Sequence, residues 1–107
     1  MQAISTTKGT IQNIGKIFEK GLQNEYLSRS IGKIIEYEKV KTIEEVNMLK
    51  KELSRFESTY QMSSEDFFDR FEKGDLGDKE DYFEWSAMYQ MYERSVDRLN
   101  ILESPSV

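Results

Sequence analysis

The chain has 107 residues, enough for one small domain and too few for a separate catalytic module. With 37% hydrophobic and 33% charged residues it has little apolar material for a monomeric core, so stability is expected to draw on a homodimer or a bound partner. It has no cysteine and no histidine, which excludes disulfides, thiolate metal sites and the commonest general base and zinc ligand together.

Residues 1–11, MQAISTTKGTI, hold no apolar run of signal-peptide length, and no stretch approaches a membrane span, so a cytoplasmic location without membrane contact is expected. The first helical period covers residues 10–27, where Ile11, Ile14, Ile17, Phe18 and Leu22 share a face that Gly15 and Gly21 weaken. A second covers residues 28–39, with Ile31, Ile34 and Ile35 inward and Ser28 or Ser30 as its cap. This segment either stands alone or continues the first with a kink near Tyr26.

The third segment, residues 42–60, opens on Thr42 and Glu45, the Thr-x-x-Glu pattern of a capping box. Ile43, Val46, Leu49, Leu53, Phe56 and Tyr60 follow at spacings of three and four, which predicts a coiled-coil-like seam. Ser63 or Ser64 then caps a short helix over residues 65–73 whose apolar face is Phe67, Phe68 and Phe71, and Gly74 ends it. Asp78 is expected to cap a final helix over residues 79–102, with the stripe Tyr82, Trp85, Tyr89, Tyr92, Val96 and Leu99. Pro105, the one proline, interrupts no helix, and residues 103–107 read as a disordered tail. The expected fold is all-α: a single domain of four to five helices, residues 1–41 supplying the N-terminal ones. Residues 42–102 form its core, an antiparallel hairpin of the third and last helices with the phenylalanine-rich helix between them.

Charge is segregated along the chain. Residues 1–55 hold ten basic and seven acidic side chains, net +3, whereas residues 56–107 hold five basic and thirteen acidic, net −8. The acidic half should attract a basic protein and repel nucleic acid. The competing explanation is that these acids simply solvate exposed helix faces. In the first half Glu19, Glu25, Glu36 and Glu38 are interleaved with the lysines, so only operator DNA is a plausible nucleic-acid contact, and only for an autorepressor.

Little in the chain suits catalysis or metal binding. An EF-hand alignment places Asp69, Gly74, Leu76 and Glu80 correctly at positions one, six, eight and twelve. It fails where oxygen is required, because positions three and five are Phe71 and Lys73, and an ammonium has no place in a calcium cage. The pair Asp78 and Asp81 is explained by helix capping before acid–base chemistry need be invoked. No Gly-x-Ser-x-Gly elbow and no Gly-x-Gly-x-x-Gly loop occurs. A binding protein with no enzymatic activity, cofactor or metal is therefore expected. The aromatic stripe is either core or recognition surface; a mixture is expected, with phenylalanines inside and some of Tyr82, Trp85, Tyr89 and Tyr92 shared with a partner.

Residues 56–99 resemble small antitoxins of prokaryotic toxin–antitoxin pairs. The shared pattern is Tyr60, Met62-Ser63-Ser64-Glu65, Phe67-Phe68, Gly74-Asp75-Leu76-Gly77-Asp78, Asp81, Tyr82 or Phe83, and Glu84-Trp85. The resemblance implies a neutraliser of a cognate small basic toxin, often a ribonuclease. Asp75, Asp78, Asp81 and Glu84 would then match its charge, and Tyr82, Trp85, Tyr89 and Tyr92 would anchor it. Two other readings stand beside this one: a structural homodimer on the seam of residues 43–60 with no toxin partner, and a DNA-binding autorepressor working through the basic half.

Overall fold

The computed structural model describes residues 2–104 and consists of helices α1 (Gln2–Glu19), α2 (Glu25–Tyr60), α3 (Ser64–Glu72) and α4 (Glu80–Glu103). Among the described residues there is no strand, so the all-α class holds. The chain divides into two compact units, residues 1–34 and residues 35–107. The division falls inside α2, whereas composition alone placed its shift near Phe56.

In the first unit the expected helix over residues 10–27 is displaced toward the N-terminus. Gly21 is the cause. It adopts φ +68°, and its N–H and that of Leu22 donate to the carbonyls of Phe18 and Ile17, the paired bonds of a Schellman end. The chain restarts at Asn24, whose Oδ1 accepts the Leu27 N–H at 2.8 Å, so Asn24 caps α2 where Ser28 or Ser30 was expected to. Ile14, Ile17, Phe18, Leu27 and Ile31 are half-buried, and no described side chain between residues 6 and 34 is fully buried.

The two helices expected over residues 28–39 and 42–60 are one helix of 36 residues. No glycine or proline lies between Lys33 and Tyr60 to break it. Thr42 is therefore not a cap. Its hydroxyl donates back to the Glu38 carbonyl at 2.7 Å, which satisfies it inside the helix and lets it sit 3% exposed in the seam. The seam is accordingly Thr42, Val46, Leu49, Leu53, Phe56 and Tyr60, and Ile43 falls off it.

The second unit holds the remainder of α2 with α3 and α4. Ser63, not Ser64, is the N-cap of α3: its Oγ accepts the Asp66 N–H at 3.1 Å. The Ser64 N–H is taken by Glu57 Oε2 from α2 at 2.9 Å. Gly74, at φ +78°, closes α3 with a second Schellman pair, its N–H on the Phe71 carbonyl and that of Asp75 on the Arg70 carbonyl.

The cap of α4 is Lys79, with no side-chain capping bond, and Asp78 stays outside the helix. The Lys79 ammonium lies 5.2 Å from the ring centre of Tyr60 and 5.9 Å from that of Tyr82, which accounts for a lysine at this position. The helix runs through Glu103, one residue into the segment expected to be disordered; residues 105–107 of that segment lie outside the described residues.

Helices α2 and α4 pack antiparallel. At one end the Tyr60 hydroxyl donates to Asp81 at 2.6 Å, and at the other Arg98 donates to Glu38 at 2.6 Å. Between them Leu53, Phe67 and Trp85 form the buried core.

α2 ends on Gln61 at φ +53°, a conformation that costs a residue with a Cβ roughly 1–2 kcal/mol. The Gln61 Nε2 donates to the Ser58 carbonyl at 2.7 Å and returns part of that cost. Gln61→Gly is expected to raise stability by up to ~1 kcal/mol, seen as a higher urea midpoint at unchanged slope. A lower midpoint would mean that the side-chain bond outweighs the strain.

Candidate partner-binding surface

The eight residues singled out from sequence do not form one face. Trp85 is 0% exposed. Its indole stacks on Phe67 at 3.8 Å between centroids with the planes 4° apart, and on Phe56 at 5.5 Å. Its N–H donates to the Ser64 hydroxyl at 2.9 Å, inside the core. Trp85 therefore has no surface to offer a partner, which corrects its expected role as an interface anchor. The reason is local: Ser64 begins α3 facing inward and provides the acceptor that a buried indole requires.

The other three anchors are half-buried. Tyr82 leans against Tyr60 at 5.4 Å and Phe67 at 5.6 Å and belongs mainly to the core. Tyr89 and Tyr92 are brought together, their rings 6.5 Å apart, on a groove of about 400 Å³. Lys50, Leu53, Ser54 and Glu57 form its α2 side, and Ser63, Ser64 and Glu65 close its end. Burial, with Glu93 and Glu65 nearby, holds the Tyr89 phenol above its ordinary pKa.

The acids lie elsewhere. Asp75 and Asp78 are exposed on the link between α3 and α4. Asp81 and Glu84 line a second cleft, of about 220 Å³, with Glu52, Arg55, Phe56 and Thr59 of α2. Asp81 accepts the Tyr60 hydroxyl, Glu52 accepts Arg55 at 3.1 Å, and Glu84 makes no hydrogen bond or ion pair with another described residue. Three carboxylates thus surround an open cleft with an aromatic wall, and one of them is uncommitted.

The α2 side of this cleft escaped sequence reasoning, although Glu52, Arg55, Phe56 and Thr59 follow the spacing of a single helix face. Phe83 also escaped it. This ring stands edge-on to Phe71 at 5.4 Å and is 56% exposed, so it is the outward aromatic of α4. Among the described residues no group of three or more acidic side chains is arranged to hold a metal ion, and no helix is long and apolar enough to cross a membrane.

Asp81 holds the proton on Tyr60 and pushes its pKa up to about 12, chiefly through the hydrogen bond. Because the folded pKa is raised, this contact is fully present below the free tyrosine value of 10.0 and is lost as pH rises through about 12. Asp81→Asn is expected to return Tyr60 toward 10.0 in an absorbance titration; an unchanged titration would contradict the assignment. Trp85→Ala is expected to cost ~3–5 kcal/mol of folding stability, read by urea denaturation followed by circular dichroism. A stable Trp85→Ala protein would show that the stack is not the centre of the core. No protein-family model, curated protein or solved structure matches this chain, so its chemistry is the guide to what it binds.

Proposed function

We propose that the chain is a binding protein without catalytic activity that acts as an antitoxin, neutralising a small basic toxin in the cytoplasm. One observation carries this: Glu52, Asp81 and Glu84 surround an open cleft walled by Phe56, in a unit whose ten basic and eighteen acidic residues give net −8. A cleft of this kind suits an arginine. The carboxylates meet the guanidinium and the ring of Phe56 lies against its plane. Asp75 and Asp78 on the neighbouring link add to the field that draws a basic protein in, and in this role acids occupy the place of the RNA phosphates a ribonuclease would otherwise hold.

Phe83, rather than Trp85, supplies the exposed aromatic contact, and Tyr89 with Tyr92 offers a separate groove for polar or aromatic side chains. Trp85 acts at one remove, by holding α4 in place. The homodimer expected on the seam of α2 loses its surface in this account, since Val46, Leu49 and Leu53 are already buried within the chain.

The test is to co-express the tagged chain with the product of the adjacent reading frame. The expected result is stoichiometric recovery of a small basic protein that arrests growth when expressed alone. The triple change Glu52→Gln, Asp81→Asn and Glu84→Gln should then weaken the complex by about tenfold or more, mostly at low salt. Recovery of the tagged chain alone would sink the proposal.

A further inference from the structure

The cleft between Glu52, Asp81 and Glu84 has one basic side chain in its lining, Arg55, and that guanidinium is already bonded to one of the three carboxylates. Arg55 Nη1 donates to Glu52 Oε2 at 3.1 Å, within α2. Among the described residues Arg55 makes no ion pair with Asp81 or Glu84. The two partners are unequally placed: the Arg55 side chain is 77% exposed and that of Glu52 38%. The carboxylate belongs to the wall of the cleft, and the guanidinium rests on it from the solvent side.

The hold of Arg55 on Glu52 is weak for a physical reason. Water solvates both charges of an exposed pair, and the long arginine gives up rotamer freedom to keep one geometry. The rest of the cleft is left for a ligand. Glu84 is uncommitted, and Asp81 gives only Oδ2, to the Tyr60 hydroxyl. The Thr59 hydroxyl is turned back onto the Arg55 carbonyl at 2.9 Å, so the carboxylates are what the cleft offers a cation. A guanidinium entering from outside lies along Phe56 with all three carboxylates around it, whereas Arg55 is tethered to α2 beside Glu52.

We infer that Arg55 is the resident cation of the cleft, holding the Glu52 carboxylate until an arginine of the basic partner displaces it. The inference rests on the reading of the cleft as an arginine site and adds a regulatory part to it. In the free chain the Arg55 guanidinium offsets one of three like charges, which reduces the repulsion among the carboxylates. It also makes any arriving cation compete for Glu52, so a ligand that engages Glu52 alone gains little. One that reaches Asp81 and Glu84 as well gains contacts Arg55 does not make. Binding is then an exchange of one guanidinium for another, and Arg55 lowers the affinity of the cleft while sharpening its selectivity.

The experiment is a nuclear magnetic resonance titration of the isotope-labelled full chain with argininamide at low salt. Backbone amides of residues 81–84 are expected to shift saturably, and the Arg55 Nε–H signal to move with the same midpoint while those of Arg70 and Arg94 stay still. Arg55→Gln should bind argininamide about threefold more tightly than the wild type. Lys51→Gln is the control: it removes the same charge from an exposed lysine one turn away that lines no part of the cleft, and should change affinity less. Cleft amides that shift while the Arg55 signal stays still overturn the inference and leave the arginine site standing. So does an Arg55→Gln protein that binds no more tightly than Lys51→Gln. Absence of any saturable shift at residues 81–84 overturns the arginine site itself, and the inference with it.

Discussion

A tryptophan buried completely must bring its N–H to an acceptor, and here the acceptor is the first residue of the neighbouring helix. The Trp85 indole donates to the Ser64 hydroxyl, and the Ser64 backbone N–H is held in turn by Glu57 of α2. One chain of bonds therefore ties α4 to the start of α3 and the start of α3 to α2. The stack of Trp85 on Phe67 fixes the same three helices through apolar contact. An unpaired indole in that position would cost about 1–3 kcal/mol, a substantial part of what a domain of this size has in reserve. The placing of Ser64 is therefore as important to the fold as any hydrophobic side chain.

The acidic cleft depends on that arrangement. Asp81 and Glu84 lie one turn and one residue before Trp85, and Phe56, which stacks on Trp85, is also a wall of the cleft. Burying the indole therefore sets the register in which α4 presents its carboxylates to Glu52 on α2. Tyr60 secures the end of the same pair of helices by donating its hydroxyl hydrogen bond to Asp81. The residues that stabilise the second unit and those that face a partner are neighbours in the helix, with different roles.

Much of the fold was legible in the sequence, and the exceptions have physical causes. The three- and four-residue spacing marks α3, α4 and the 42–60 part of α2 with the antiparallel order of α2 and α4, but it divides α2 into two helices where the chain forms one. It misplaced the first helix because Gly21 was counted as a weak helical residue, when Gly21 followed by apolar Leu22 is also the signature of a helix end. Thr42 reads as a cap because Thr42 and Glu45 match the Thr-x-x-Glu capping box; a hydroxyl that bonds back to Glu38 behaves as a seam residue instead. Asp78 lost the cap of α4 to Lys79, which rests on two tyrosine rings that spacing alone does not bring together. Of the candidate site, Asp81 and Glu84 share one cleft and Tyr89 and Tyr92 share another groove. Periodicity places Trp85 on the stripe and Phe83 beside it, in keeping with their burial. What spacing does not show is that Trp85 alone on the stripe is fully buried while Tyr82, Tyr89 and Tyr92 stay half-buried; Ser64, brought in by α3, supplies the acceptor its indole needs.

The claim on which the functional account depends is that a basic protein docks at the acidic cleft of the second unit. Hydrogen exchange of the chain, alone and in complex with its co-purified basic partner, tests it most directly. The account predicts new protection concentrated at residues 52–59 and 80–84, diminishing as salt is raised. Protection confined to residues 1–34, or unaffected by salt, would contradict it.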